Sequence, residues 1–206
     1  MDLDKKNIII KYGSNEEYLV ICDHSSNNIP IEYKNLGISS NDIESHRAYD
    51  LGASEVSVEL SKLLNCNLIM ANFSRLLIDP NRGEDDPTLI PKISEGKIIK
   101  GNINISKCSS DEDRNKRILN FYLPYHEQIS KFVNNSLKKG KILKILSIHS
   151  FTPIWMGKKR EIDVGILWDK DDRLSKIFLN SLKNINLGDN KPYSGRLKND
   201  TLYKHA

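Results

Sequence analysis

Short apolar runs alternate with amphipathic stretches along this chain. That alternation restricts the fold more than any other feature. Residues 18–22 (YLVIC) are β-branched and apolar, the pattern of a buried strand. Residues 39–46 carry a helix start, with Ser or Asn as N-cap and Glu44 in the first turns. Residues 50–64 (DLGASEVSVELSKLL) give the clearest amphipathic helix, with Val56, Leu60, Leu63 and Leu64 at helical spacing and Asp50 at the N-cap position. A second short strand follows at 67–71. Residues 111–139 read as helix, with a stripe from Ile118, Phe121, Tyr122 and Tyr125 to Ile129, Phe132 and Val133. Pro124 kinks or splits it, and Gly140 ends it. Apolar strands recur at 142–148 and 163–167, a helix at 173–182, and a turn-rich loop (GDNKPY) at 188–193. Strands alternating with helices predict one α/β domain over residues 1–206, with helices on both faces of a mixed or mostly parallel sheet.

A chain of 206 residues is long enough for one domain with a sizeable core. Its net charge is +4, but lysines and acids are interspersed. That pattern predicts solvated faces rather than a nucleic-acid stripe. No apolar run approaches the ~20 residues needed to span a bilayer. The start, MDLDKKNIII, lacks the features of a secretory signal, so the expected location is the cytoplasm. Cys22, Cys66 and Cys108 are far apart and form no CxxC pair, so neither a zinc ribbon nor a disulfide framework is indicated.

Candidate chemistry gathers where strands end. In open α/β sheets, ligands bind beyond the carboxyl ends of the strands. His24 follows the first strand and His149 the strand at 142–148, and Asp50 is a third polar group that can share that edge. Two imidazoles and a carboxylate suit zinc, which keeps an open position for water in catalytic sites. Taken singly, each histidine reads as a turn or core residue, and Asp50 as an ordinary helix cap. His46 is placed to orient Asp50, and His126, beside the aromatic stripe, reads as structural. Residues 73–101 form a long loop with few helix formers, and long ordered loops in compact domains are usually functional. Arg75, Asp79, Asn81 and Arg82 cluster there around Leu76, Leu77 and Ile78. An arginine fork suits carboxylate recognition, whereas an Asp79–Arg82 salt bridge would simply hold the loop. Gly101-Asn102 is read as closing this loop. Ser25 and Ser26 lack a nucleophile elbow, Cys22 reads as a buried strand residue, and Ser150 as a hydrogen-bond donor behind the site.

The segments VICDHSSNNIP, HRAYDLGA, ANFSRLLIDPNRGEDDPTLIP, GN at 101–102, YHEQI, SIHSFTP, DVGILWD and NKPYSG together resemble the N-formylglutamate amidohydrolase family. The resemblance implies a three-layer α/β/α sandwich with a mixed, mostly parallel sheet, similar to zinc-dependent peptidases and other phosphorylase/hydrolase-like folds. It implies metal-dependent hydrolysis of a small N-acyl amino acid, N-formyl-L-glutamate giving formate and L-glutamate in the named activity. Zn2+ is the implied cofactor, with His24 and His149 as ligands. The related carboxypeptidases have a glutamate where this chain has Asn27, so Asp50 is the expected acidic ligand and Asp23 the runner-up. Arg75, Asn81 and Arg82 are the expected holders of the substrate carboxylates. The family's general base is a glutamate on a further strand, so this chain is expected to lack that strand and that base. Glu161 is the one acid close in sequence to the second histidine that can substitute. The alternatives are a different N-acyl amino acid as substrate, or a non-catalytic relative that binds an acidic small molecule. Neither nucleic acid nor membrane is an expected partner.

Overall fold

The computed structural model describes residues 7–106, 111–155 and 157–206, so Cys108 lies outside the described residues. The chain divides into two compact units, Met1–Phe151 with Asn199–Ala206, and Thr152–Lys198.

The first unit is built on a four-stranded sheet in the order β1-β3-β2-β6. Its strands are β1 (Ile8–Lys11), β2 (Asn15–Cys22), β3 (Cys66–Ala71) and β6 (Lys144–Ser147). β2 runs parallel to both β3 and β6, and β1 is antiparallel to β3, so the sheet is mixed and mostly parallel. Side chains alternate across a strand, and this sorts the core into two halves. Leu19, Ile21, Ile69 and Ala71 pack with Phe121, Tyr125 and Ile129 on one face. Val20, Cys22, Leu68 and Met70 pack with Ala53 on the other, against the partly buried Leu60 and Leu64. The central strands are covered on both faces, which is why YLVIC and NLIMA read as unbroken apolar runs. β1 was not anticipated, since IIIK is short and flanked by lysines.

Four residues, Ser40–Ile43, form α1, capped by Ser39, whose side chain accepts from the Asp42 N–H. α2 (Ala53–Leu64) covers the second face. Its expected stripe is corrected: Val56 and Leu63 are 55% and 83% exposed, while Ala53, Ser57 and Ser61 are buried. The serines bury because their hydroxyls bond within the helix, Ser57 to the Ala53 carbonyl at 2.7 Å and Ser61 to the Val58 carbonyl at 2.9 Å. Asp50 is not the cap either. Gly52, at φ 77°, occupies that position and leaves the Asp50 carboxylate for other work.

The opposite face is covered by α3 (Glu112–Arg117), a π-helical turn (Ile118–Tyr122) and α4 (Leu123–Lys138). Pro124 follows the π-helical turn in one continuous helical run, and the Asn120 carbonyl four residues back accepts from the Asn7 side-chain amide at 3.0 Å. The predicted stripe is buried from Ile118 to Ile129, with Phe132 and Val133 partly buried. The layers are therefore α/β/α, as expected. Residues 73–101 are mostly turns plus a small hairpin, β4 (Ile93–Ser94) with β5 (Lys97–Ile98). Buried Asn102 closes this loop by donating to the Leu76 and Pro91 carbonyls, both at 2.8 Å, and accepting from Arg117 at 2.7 Å. A short helix, α6 (Thr201–His205), packs on α4.

The second unit holds a hairpin, β7 (Ile154–Trp155) with β8 (Lys158–Lys159), and a parallel pair, β9 (Val164–Ile166) with β10 (Leu187–Asp189). α5 (Arg173–Ser181) connects the parallel pair. β10 extends into the stretch expected to be only a turn-rich loop. Gly165 and Gly188 lie opposite each other in the ladder, and a Cβ on either would meet the Lys191 carbonyl oxygen at 2.4–2.5 Å. Among the described residues no helix is long and apolar enough to cross a membrane.

Candidate metal centre

Parallel pairing of β2 with β6 aligns Ile21 with Ser147, so the polar segments after both strands leave the same sheet edge. His24 lies two residues past the end of β2 and His149 two past β6. Their rings meet edge to face, 5.0 Å between centroids. Asp50 is delivered by backbone lacing. Its N–H donates to the His24 carbonyl at 2.9 Å, and the neighbouring Ala48 carbonyl accepts from Arg75 N–H and the Ser74 hydroxyl.

The Nδ1 atoms of both rings face Asp50 Oδ2, at 3.4 Å from His24 and 2.8 Å from His149. One ligand atom from each of the three residues lies within 4.8 Å of the others. Each ring has a second carboxylate behind it. His24 Nε2 is 2.7 Å from Asp79 Oδ1, and His149 Nε2 is 3.1 Å from Asp23 Oδ2. A carboxylate on Nε2 holds a proton there and aims Nδ1 inward, the arrangement that orients metal-binding histidines once Nδ1 is deprotonated. Arg75 donates to Asp79 at 2.9 Å and reaches Asp50 at 3.5 Å. Ser150 contributes its backbone N–H to Asp50 Oδ2 at 3.3 Å.

Three buried carboxylates therefore face one arginine and two imidazoles. Burial pulls the Asp50 and Asp79 carboxyls upward, but His24, with His149 for Asp50 and Arg75 for Asp79, holds both well below the usual range. Asp23 is likewise opposed by burial, yet the bond and charge of His149 lower it to about 2. Burial works against a charged His149 ring, but Asp23 and Asp50 raise it to about 10. His24 is almost fully buried, whereas the His149 side chain is 33% exposed, so the centre opens on the His149 side. Two nitrogens and a carboxylate oxygen, backed by anionic groups, fit a divalent cation with borderline-soft character.

The other expected residues fall in several places. Asn81 follows Asp79 and donates its N–H to Asp79 Oδ1 at 2.9 Å, while its side-chain oxygen accepts from Thr201 N–H at 3.0 Å. Arg82 bonds to the Asn81 carbonyl and to Thr88. The Asp79 ion pair is with Arg75, four residues back, rather than with Arg82, the alternative partner. Asp23 stands behind His149 instead of beside the ligand atoms. His46 pairs with Glu95 at 2.7 Å and does not orient Asp50. His126 is a buried structural residue, 3.0 Å from the Pro80 carbonyl and 2.9 Å from His205. The Ser25 hydroxyl donates to the Ala71 carbonyl, Ser26 accepts from Asn28 N–H, and the Asn27 amide donates to the Ile43 carbonyl. Burial pushes the Cys22 thiol up to about 12, which removes it as a nucleophile. Glu161 is exposed in the second unit.

Sequence reasoning missed Asp79 as the partner of His24, and Tyr125 and Thr201 as partners of Asp23. Only Asp23 had a signal. It shares the parity of Leu19 and Ile21, so its side chain turns to the α4 face, where Tyr125 meets it at 2.8 Å.

A sequence model of the N-formylglutamate amidohydrolase family matches residues 16–206. Among solved structures, the chain is similar to gene product Atu2144 from Agrobacterium tumefaciens. The identity is 32% and the TM-score 0.85, over 94% of this chain and 77% of that one. It is also similar in fold to an N-formylglutamate amidohydrolase from Ralstonia eutropha JMP134, at 18% identity and a TM-score of 0.65, over 93% of this chain and 78% of that one. No curated protein matches the sequence.

Proposed function

We propose, from the premise that this chain belongs to the N-formylglutamate amidohydrolase family, that it is a zinc-dependent hydrolase of N-acyl amino acids, with N-formyl-L-glutamate as first candidate. Family membership supports amide hydrolysis of this type. The metal-dependent reading rests on one observation: His24 Nδ1, His149 Nδ1 and Asp50 Oδ2 converge while Asp79 and Asp23 occupy the two Nε2 atoms. Three protein ligands leave a coordination position open, as catalytic zinc sites do.

When bound there, zinc supplies a Lewis acid that polarises the acyl carbonyl and lowers the pKa of a water. The protein's own residues orient the reactants. Asp79 and Asp23 hold the imidazole protons on Nε2 and fix both rings. Arg75, tied to Asp79 and Asp50, presents its guanidinium at the rim of the centre for a substrate carboxylate. Asn81 and Arg82 continue the same loop and serve the second carboxylate. Two carboxylate anchors hold the scissile amide in one orientation, which raises rate as well as affinity. In the overall reaction, water adds its oxygen to the formyl carbon and the C–N bond breaks. The amine nitrogen takes a proton, giving formate and glutamate.

The test is formate release by the zinc-loaded protein from N-formyl-L-glutamate, beside N-acetyl-L-glutamate and a neutral N-formyl amino acid. Turnover of the first, abolished in His24→Ala together with bound zinc, is the expected result. Zinc bound at one equivalent with no turnover of any N-acyl amino acid refutes the enzymatic reading. Turnover of another acyl group alone replaces the substrate.

A further inference from the structure

Asp23 has no exposed surface, yet its two oxygens meet four donors. Oδ2 faces His149 Nε2 at 3.1 Å and the Ser147 hydroxyl at 3.3 Å. Oδ1 accepts from the Tyr125 hydroxyl and from the Thr201 hydroxyl, each at 2.8 Å. Thr201 is itself fully buried, at the first position of α6. Its hydroxyl has one hydrogen and two acceptors within reach, Asp23 Oδ1 and the Pro80 carbonyl at 3.3 Å. The shorter distance and the negative charge assign the hydrogen to Asp23.

We infer that Thr201 is a positioning residue for the metal centre, acting through Asp23 to set the His149 ring so that Nδ1 faces the ligand cluster. The inference rests on the metal-centre reading for its functional meaning, but not for its geometry. With Tyr125, Thr201 pins Oδ1, while Oδ2 meets His149. That fixes the carboxylate plane and leaves Oδ2 aimed at Nε2. No water can replace a lost donor, because Asp23 is sealed from solvent. The same residue also touches the substrate loop, since its N–H holds the Asn81 side chain. Further along α6, Lys204 donates to the Arg82 carbonyl at 2.9 Å, and His205 bonds to His126. One turn of helix thus registers the carboxylate behind His149 and the Asn81-Arg82 segment together.

The test compares Thr201→Val, which keeps the shape and removes the donor, with Thr201→Ser, which keeps the donor. Two readouts are used on the full chain. One is the Nε2–H resonance of His149 in the metal-free protein, by nitrogen-edited NMR. The other is the zinc dissociation constant by chelator competition. Thr201→Val is expected to move the resonance upfield, speed its exchange with solvent and weaken zinc binding about tenfold or more, the usual effect of losing an outer partner. Thr201→Ser is expected to stay within about twofold of the parent. Tyr125→Phe removes the other donor from the same oxygen and is expected to act in the same direction, so a failure of Thr201→Val to fold does not remove the test. An unchanged resonance and an unchanged zinc constant in the donor-less variants overturn the inference. So does a serine variant as impaired as the valine one. If the parent binds no zinc while its His149 resonance still responds to Thr201→Val, the metal reading fails and the positioning role stands.

Discussion

His149 must give up a proton before its Nδ1 can bind a cation. Both ring nitrogens face carboxylates, Nδ1 toward Asp50 at 2.8 Å and Nε2 toward Asp23 at 3.1 Å. Two carboxylates facing one ring favour its protonated form. Burial opposes that charge, but bonds to Asp23 and Asp50 raise the pKa to about 10. Below that value, coupled proton loss makes the apparent metal affinity rise by roughly tenfold per pH unit. From pH 7 to pH 9 the expected gain is about 100-fold. A histidine with an ordinary pKa near 6.5 would be flat over that window. Zinc-bound water also ionises near neutral pH, so the ring's share needs a reference protein. Asp23→Asn removes the first of the two anionic partners and lowers the ring pKa. Calorimetric titrations of zinc at pH 8, in buffers of different ionisation heat, count the protons released. The parent is expected to release more protons per zinc bound than Asp23→Asn. Equal proton counts for the two proteins, or an affinity flat from pH 7 to 9, refute the reasoning.

Asp79→Asn keeps an oxygen for His24 Nε2 but removes the charge that holds Arg75, and zinc affinity measured by chelator competition is expected to fall about 10- to 100-fold. Asn102→Ala strands the Leu76 and Pro91 carbonyls and leaves the buried Arg117 guanidinium without one acceptor; urea unfolding is expected to show a loss of about 3 kcal/mol. For His126, burial first, then Lys204 and His205, lower the pKa to about 3, so the folded protein keeps this ring neutral. The unfolded chain takes up that proton below about pH 6.5, so this contribution to stability is lost as pH falls from about 6.5 toward 3. His126→Gln is expected to flatten that slope in urea midpoints taken at pH 7 and 4.5, and parallel slopes would contradict it.

The layered fold was legible because strands covered on both faces must be continuously apolar, and YLVIC and NLIMA are. Helix stripes were legible where bulky residues set them, as from Ile118 to Ile129. They misled at α2, where Ser57 and Ser61 satisfy their hydroxyls within the helix and take the buried face from Val56 and Leu63. His24 and His149 could be paired because both follow strands at one sheet edge. Asp50 could not be separated from a helix cap by spacing alone, since only the observed Gly52 cap frees its carboxylate. A salt bridge to Arg82 was one of two readings of Asp79, and its ion pair is with Arg75 instead. Its actual ring partner, His24, is 55 residues away. No periodicity in one sequence encodes a contact of that span.

The donors around Asp23 carry a consequence for timing. They lie 102, 124, 126 and 178 positions from it along the chain. Long-range contacts form late, after the loops between them have closed. During synthesis, His24 leaves the ribosome long before any of the groups that aim Asp23. A cation present then meets scattered imidazoles and carboxylates, not a centre. If the centre takes a cation, loading therefore waits on a threonine made 178 positions after Asp23.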